Sequence, residues 1–309
     1  MPQDLRGTLS GRSTLPPAVA AHLGEARNTI NRVARSFSLA ARLLPTDRRH
    51  DVELLYLVLR TLDDLVDIDI RAGGSSREAA EARIAAIERW TRGEPLAPGS
   101  HVRELIILDD LANRNRAFPR DAVLDFLEGM RADLVGPKIA TGNDAARYCY
   151  QVAGTVGRMM ASLLGIAHGS EAASDRAARS LGSAMQRTNI LRDIDEDLAA
   201  GRIYLSHERL RAHGIDPTAT SGSHSLKDAD RRALLKEEIA RADAEYEVGL
   251  AGIEYLQHGR ASIRAAALLY REILRQIERD GYGARRPHRP VVGRGRKALL
   301  ILKALLSRP

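Results

Sequence analysis

Two stretches of this sequence line up carboxylates in a pattern that asks for a cation. In QRTNILRDIDEDLAAGRIY, from Gln186 to Tyr204, the apolar residues Leu191, Ile194 and Leu198 recur at helical spacing. At about 100° per residue, Gln186, Asn189, Asp193 and Asp197 share one narrow arc beside that stripe. In LYLVLRTLDDLVD, from Leu55 to Asp67, the residues Tyr56, Arg60, Asp63 and Asp67 share an arc, with Asp64 at its edge. Mg²⁺ takes oxygen ligands, keeps several waters and commonly shares its shell with a substrate phosphate. Asp63, Asp64, Asp67, Asn189, Asp193 and Asp197 are therefore the candidate metal ligands, with Mn²⁺ as the substitute such a site admits. Arg202 and Tyr204 follow the second stretch, and a guanidinium chelates phosphate oxygens in bidentate fashion. The alternative for either stretch alone is a solvated acidic face, salt-bridged in the second case to Arg187, Arg192 and Arg202.

Two helices of this design, distant in sequence, can face each other across a cavity in an all-α fold. The rest of the chain supplies such a fold, with about ten helices and no trustworthy strand-period segment. Residues 1–15, rich in Gly, Ser and Arg, read as a disordered lead-in, and 16–309 as one all-α domain. Pro16 and Pro17 suit a helix start, and helical spacing then runs to about Leu44. Pro45 and Thr46 break it, and Asp47 caps a helix that ends near Ile70. The breaker run RAGGSS after it is either a lid over an acidic site or an ordinary connection. Helices follow over 76–92, 101–114 and 119–134, the first of them polar and mostly outward.

After the break GPKIATGN, Asn143 or Asp144 opens a helix to about Ala167. It carries Tyr148, Val152, Thr155, Val156 and Met159 along one side, and by pattern alone this side is core. Gly154 and Gly157 leave room for a close helix or a ligand. The acidic helix ends at Gly201, an exposed loop spans 214–226, and two antiparallel helices over 227–257 and 259–281 close the bundle. The tail is basic in RRPHRPVVGRGRK (285–297) and apolar in ALLILKALL (298–306). It either sits on an anionic membrane surface or packs as a last helix.

Composition narrows the functions. The chain has 309 residues, 44% of them hydrophobic, enough for a large core. Its one cysteine, Cys149, excludes an internal disulfide and a cysteine-based zinc cluster. Neither a secretory signal nor an apolar run near 20 residues is present, so the expected location is the cytoplasm, in solution or peripherally on the inner face of the membrane. A net charge of +7 suits anionic partners. Aromatics are 4%, with no stacking platform, so nucleic acid is not expected.

Four blocks, ARSFSLAARLLP (34–45), LYLVLRTLDDLVD (55–67), YCYQVAGTVGRM (148–159) and NILRDIDEDLAAGRIYL (189–205), resemble the squalene/phytoene synthase family in order and spacing. The resemblance implies an isoprenoid-synthase-type bundle around a central apolar cavity, and prenyl diphosphate substrates. It implies that Ser36 and Phe37 help bind a diphosphate and line the cavity, although Ser36 and Ser38 can equally bond back to their helix. It implies that Tyr148 and Val152 line the isoprenoid cavity, Tyr148 stabilising cationic carbon or orienting the leaving group. Tyr270, within LLYREIL, matches a position near the family's active site. Tyr56, Gln186, Asn189, Arg202 and Tyr204 join these as substrate-binding candidates. Arg60, Asp63, Asp67, Tyr148, Asp193 and Asp197 are the catalytic set.

The family's reaction is a Mg²⁺-dependent head-to-head condensation through a cyclopropylcarbinyl diphosphate. Two geranylgeranyl diphosphates would give phytoene, the reading that ARSFSLAARLLP and the small Ala41 favour. Two farnesyl diphosphates would give presqualene diphosphate, dehydrosqualene or squalene, the last with NADPH as reductant, and LYLVLRTLDDLVD partly resembles that branch. Two readings of other classes are a non-catalytic scaffold for a prenyl-lipid pathway and an all-α nucleotide pyrophosphatase. The cavity should be lined by Phe37, Val152, Val156 and Met159, with Tyr148 and Tyr270 near its mouth.

Overall fold

Apolar spacing of three and four becomes helix along nearly the whole chain, as seen in a computed structural model that describes residues 15–71, 77–95, 101–217, 228–283 and 289–307. The side chains of 35, 67–71 and 228–230 lie outside that description, as do RAGGSS from 72 on and most of the 214–226 loop. Fourteen α-helices and no strand occur among the described residues, the one extended pairing being an isolated bridge between Ile166 and Leu256.

The amino-terminal run is three short helices rather than one: α1 (Pro17–Ala20), α2 (Leu23–Val33) and α3 (Arg35–Ala41). The continuous apolar periodicity hides a break at Ala34, whose φ of −116° and ψ of 58° are not helical. Next come α4 (Thr46–Arg71), α5 (Arg77–Thr91), α6 (Arg103–Arg114) and α7 (Arg120–Val135). Helix α5 is not merely an outer helix, because Ala80, Ile84, Ile87 and Trp90 are all buried.

Helix α8 (Gly142–Cys149) begins one residue earlier than expected. Thr141 caps it in a reciprocal box, accepting from the Asp144 amide at 3.1 Å while Asp144 Oδ2 accepts from the Thr141 amide at 2.9 Å. A π turn over Tyr150–Gly154 then separates α8 from α9 (Thr155–Leu164). Its i→i+5 bonds insert an extra residue, so the side-chain register on either side of it differs.

Helix α10 (Glu171–Ala199) runs through the middle of the molecule and packs against α9, the π turn, α12 (Asp228–Ala251) and α13 (Arg260–Arg279). It ends in a Schellman motif: Gly201 takes φ 74°, its amide bonds Leu198 O at 2.9 Å, and the Arg202 amide bonds Asp197 O at 2.8 Å. That closure turns Arg202 back towards the acidic end of its own helix. Between α10 and α12 lies the short α11 (His207–Ala212), and α14 (Arg294–Leu306) packs along α13.

Two large hydrophobic clusters form, beside a small third one of Ala40, Ala265, Ala266 and Ala304. One gathers α4 to α7 and α9; the other gathers α8, α10, α12 and α13. Val152 and Ile263 border both, and a cavity opens between them.

Candidate active site

The cavity has a volume of about 290 Å³. Its walls are aliphatic and small: Val152, Val156, Gly157, Met160 and Ala161 from the α9 side, and Ala177, Ala178, Leu181, Gly182 and Met185 from α10. Its polar rim consists of Tyr56 from α4, Gln186 and Asn189 from α10, and Tyr270 from α13. Phe37 also lines it, with its ring stacked on Tyr56 at a centroid distance of 6.1 Å.

The rim joins the two acidic stretches. Burial, then the nearby Tyr270, and then Asp63 and Asp64 push the Tyr56 phenol up, so it stays protonated. Burial also raises the Tyr270 phenol; Arg192 opposes that shift and Asp193 adds to it. Tyr56 thus lies near the acids of α4 and near Tyr270, and Tyr270 lies near Asp193 of α10.

Each described acid is held by arginine. Arg60 bonds Asp63 at 2.7 Å and also bonds Asp64. Arg192 grips both oxygens of Asp193 at 2.8 and 2.6 Å. Arg289, from beyond α13, bonds the same two oxygens at 2.8 and 3.0 Å. Arg202 reaches Asp197 at 3.3 Å. Burial pushes the Asp197 carboxyl up to about 6, with Arg202 opposing and Asp193 adding. Arg187 is not a partner of these acids; it lies buried on the far side of α10, paired with Glu238 at 3.1 Å and Glu245 at 3.0 Å. Asp67 sits on α4, but its side chain lies outside the described residues.

Two features of this rim suit a hard cation. Asn189 donates to Gln186 Oε1 at 3.3 Å, which leaves its own Oδ1 buried with no hydrogen-bond partner one turn before Asp193. Burial keeps the Asp197 carboxyl protonated to unusually high pH despite Arg202, a cost that a bound cation would offset. Both are hard oxygen donors of the kind Mg²⁺ and Mn²⁺ take. Among the described residues no three acids, histidines or cysteines cluster closely enough to form an all-protein metal cage.

Two expected cavity residues lie elsewhere. Met159 is fully buried in the first hydrophobic cluster, and Met160 lines the cavity instead. Tyr148 is not on the cavity wall: it is buried, stacks on Tyr204 at 5.3 Å and donates to Asp133 at 3.0 Å. The π turn accounts for both, since it breaks the i, i+4 alignment of Tyr148 with Val152 and the i, i+7 alignment of Val152 with Met159. Ala41, whose small size favoured the longer tail, packs in the first hydrophobic cluster. Ser36 lies half-buried beside Phe37, and Ser38 is buried and bonds Asn31. Sequence reasoning missed Arg289 and Asp133, since neither stands in a periodic pattern with its partner.

Comparison with known proteins identifies the family and the fold. The squalene/phytoene synthase family profile matches residues 30–296. A phytoene synthase of Thermus thermophilus is 39% identical over 274 residues, 88% of each chain. A 15-cis-phytoene synthase of Synechococcus elongatus is 33% identical over 281 residues, 84% of each chain. A crystal structure of a dehydrosqualene synthase with ligand superimposes with a TM-score of 0.77 at 25% identity, covering 93% of this chain and 96% of that one. The fold and site define an all-α isoprenoid synthase. This chain belongs to the squalene/phytoene synthase family.

Proposed function

We propose that this protein joins two geranylgeranyl diphosphates head to head to make phytoene. The observation that carries the reading is that Tyr56, beside Asp63 and Asp64, and Tyr270, beside Asp193, both line one aliphatic cavity. The named relatives support phytoene over the farnesyl-derived products, and that reaction needs no NADPH.

Asp63, Asp64, Asp67, Asn189, Asp193 and Asp197 would hold Mg²⁺, which when bound neutralises a diphosphate and helps it leave. Arg60, Arg192, Arg202 and Arg289, now on these acids, exchange carboxylate for phosphate oxygens as substrate arrives. Tyr56 and Tyr270, kept protonated, donate hydrogen bonds at the rim. The departing diphosphate leaves an allylic cation; the double bond of the second substrate attacks it, and loss of a proton closes the ring of a cyclopropylcarbinyl diphosphate. Loss of the second diphosphate, rearrangement and loss of a proton yield the hydrocarbon. The stacked Phe37 and Tyr56 present ring faces to cationic carbon, and the aliphatic walls exclude the water that would quench it. Tyr148 acts from behind the wall, fixing Tyr204 and the Asp133 carboxylate near the end of α10.

Incubation with farnesyl or geranylgeranyl diphosphate and Mg²⁺, followed by hexane extraction, tests the reading. Phytoene from geranylgeranyl diphosphate, lost in chelator, is expected; no hydrocarbon from either substrate overturns it.

The product is a water-insoluble hydrocarbon, and α14 suits its delivery to lipid. Leu299, Leu302, Leu305 and Leu306 are each more than half exposed on it, beside Arg294, Lys297 and Lys303. We place the protein in the cytoplasm, touching anionic lipid through that face. No helix among the described residues is long and apolar enough to cross a membrane.

A further inference from the structure

We infer that Ala177 and Ala178 of α10 set the length of prenyl tail this cavity admits; the inference rests on the prenyl-diphosphate reading above. Helix α10 forms one wall from Asn189 at the rim to Ser174, and at 1.5 Å per residue that wall is about 22 Å deep. The depth order of the other walls follows from their closest approaches to α10. A Cβ on Gly182 would lie 2.1 Å from Ala153 O, and one on Gly157 would lie 2.2 Å from Ala178 O. Helix α9 therefore runs antiparallel to α10, with Met160, Ala161 and Leu164 progressively deeper. A Cβ on Gly249 would lie 2.6 Å from Leu181, and one on Gly252 would lie 2.0 Å from the Ala177 Cβ, so Ile253 and Leu256 are deeper still. The floor is tied shut by backbone bonds from Gln257 N to Gly165 O at 2.9 Å and from His258 N to Leu164 O at 3.1 Å.

A prenyl chain advances about 1.25 Å per main-chain carbon, from C–C bonds of about 1.5 Å, so a farnesyl tail reaches about 15 Å and a geranylgeranyl tail about 20 Å. Measured down α10 from Asn189, the fourth isoprene unit then lies about 10 to 13 residues away, beside 176–179. The two residues of that segment on the wall are Ala177 and Ala178, which carry nothing beyond Cβ. The cavity is thus open at the depth where a geranylgeranyl tail extends past a farnesyl tail, and it closes a few ångströms below.

Ala177 abuts Gly252 too closely to enlarge, so the test uses Ala178→Phe, with Ala178→Leu as a smaller block should the first melt below assay temperature. Calorimetry with non-ionising thio-diphosphate analogues of both tails reads binding without turnover. In the unmodified protein the geranylgeranyl analogue should bind on the order of tenfold tighter than the farnesyl one. In the folded variant that preference should vanish or reverse, with farnesyl affinity changed by no more than about threefold. Leu256→Ala, at the floor, should admit a geranylfarnesyl analogue that the unmodified protein rejects. An unchanged preference in the folded Ala178 variant overturns the ruler and leaves the prenyl-diphosphate reading standing. If the unmodified protein binds neither analogue, that reading falls first.

Discussion

Arg289 reaches back 96 residues to set its guanidinium on both oxygens of Asp193, at 2.8 and 3.0 Å, where Arg192 already binds. A cation approaching Asp193 must displace or share with two guanidinium groups. Arg289→Ala should therefore tighten Mn²⁺ binding to diphosphate-free protein by about two- to fivefold, the range of a half-exposed ion pair. It should also raise KM for the diphosphate, which loses a cationic partner. Electron paramagnetic resonance titration of Mn²⁺ checks the first effect; weaker binding in the variant would remove Arg289 from this role.

Asp197 gives a pH dependence with a definite sign. Its folded pKa of about 6 exceeds the ordinary 3.8, so between these values the folded chain binds the proton more tightly than the unfolded chain. The stability this group contributes is present below the ordinary value and lost as pH rises through about 6. Asp197→Asn should raise the metal-free Tm at pH 7.5 by about 1–4 °C and abolish turnover. Unmodified protein should lose metal affinity below pH 6 as the proton competes. Calorimetric melts across this range decide it; a variant less stable than the parent at pH 7.5 would contradict the assignment.

The helical spacing made the acidic faces, the Gly201 stop and the antiparallel pair at the end legible in the sequence, because each is a local pattern. What stayed hidden was non-local or a matter of phase. A π turn leaves no mark in the 3.6-residue pattern, yet it exchanges Met160 for Met159 and takes Tyr148 off the wall. Ala34 breaks a helix with no Gly or Pro to announce it. The Arg289–Asp193 pair depends on tertiary folding, and nothing in RRPHRP specifies its partner.

The wall glycines carry a stability prediction. In Gly182→Ala the new Cβ would lie 2.1 Å from a backbone oxygen, so α10 must move from the π turn at a cost of about 1–3 kcal/mol. Gly24 on α2 has nothing within 4 Å of its added Cβ, and Gly24→Ala should stabilise by about 0.5–1 kcal/mol. Denaturant midpoints of the two variants should shift in opposite directions; equal shifts would mean the close approach does not constrain α10.

The exposed face of α14 should bind vesicles containing anionic lipid, weaken as salt screens the basic residues, and lose binding in Leu302→Glu. Sedimentation with vesicles measures this. Binding unaffected by Leu302→Glu would move the contact elsewhere.

The central claim is that the acids of α4 and α10 serve one diphosphate above one cavity. Its most direct test is a crystal structure with Mn²⁺ and the geranylgeranyl thio-diphosphate analogue, read by anomalous scattering. The account predicts Mn²⁺ peaks bonded to Asp63 or Asp64 on one side and to Asn189, Asp193 or Asp197 on the other. A diphosphate should lie between them, with its tail running past Val156 and Gly182 to Ala178. Metal bound to one helix alone, or a tail lying outside the cavity, would contradict it.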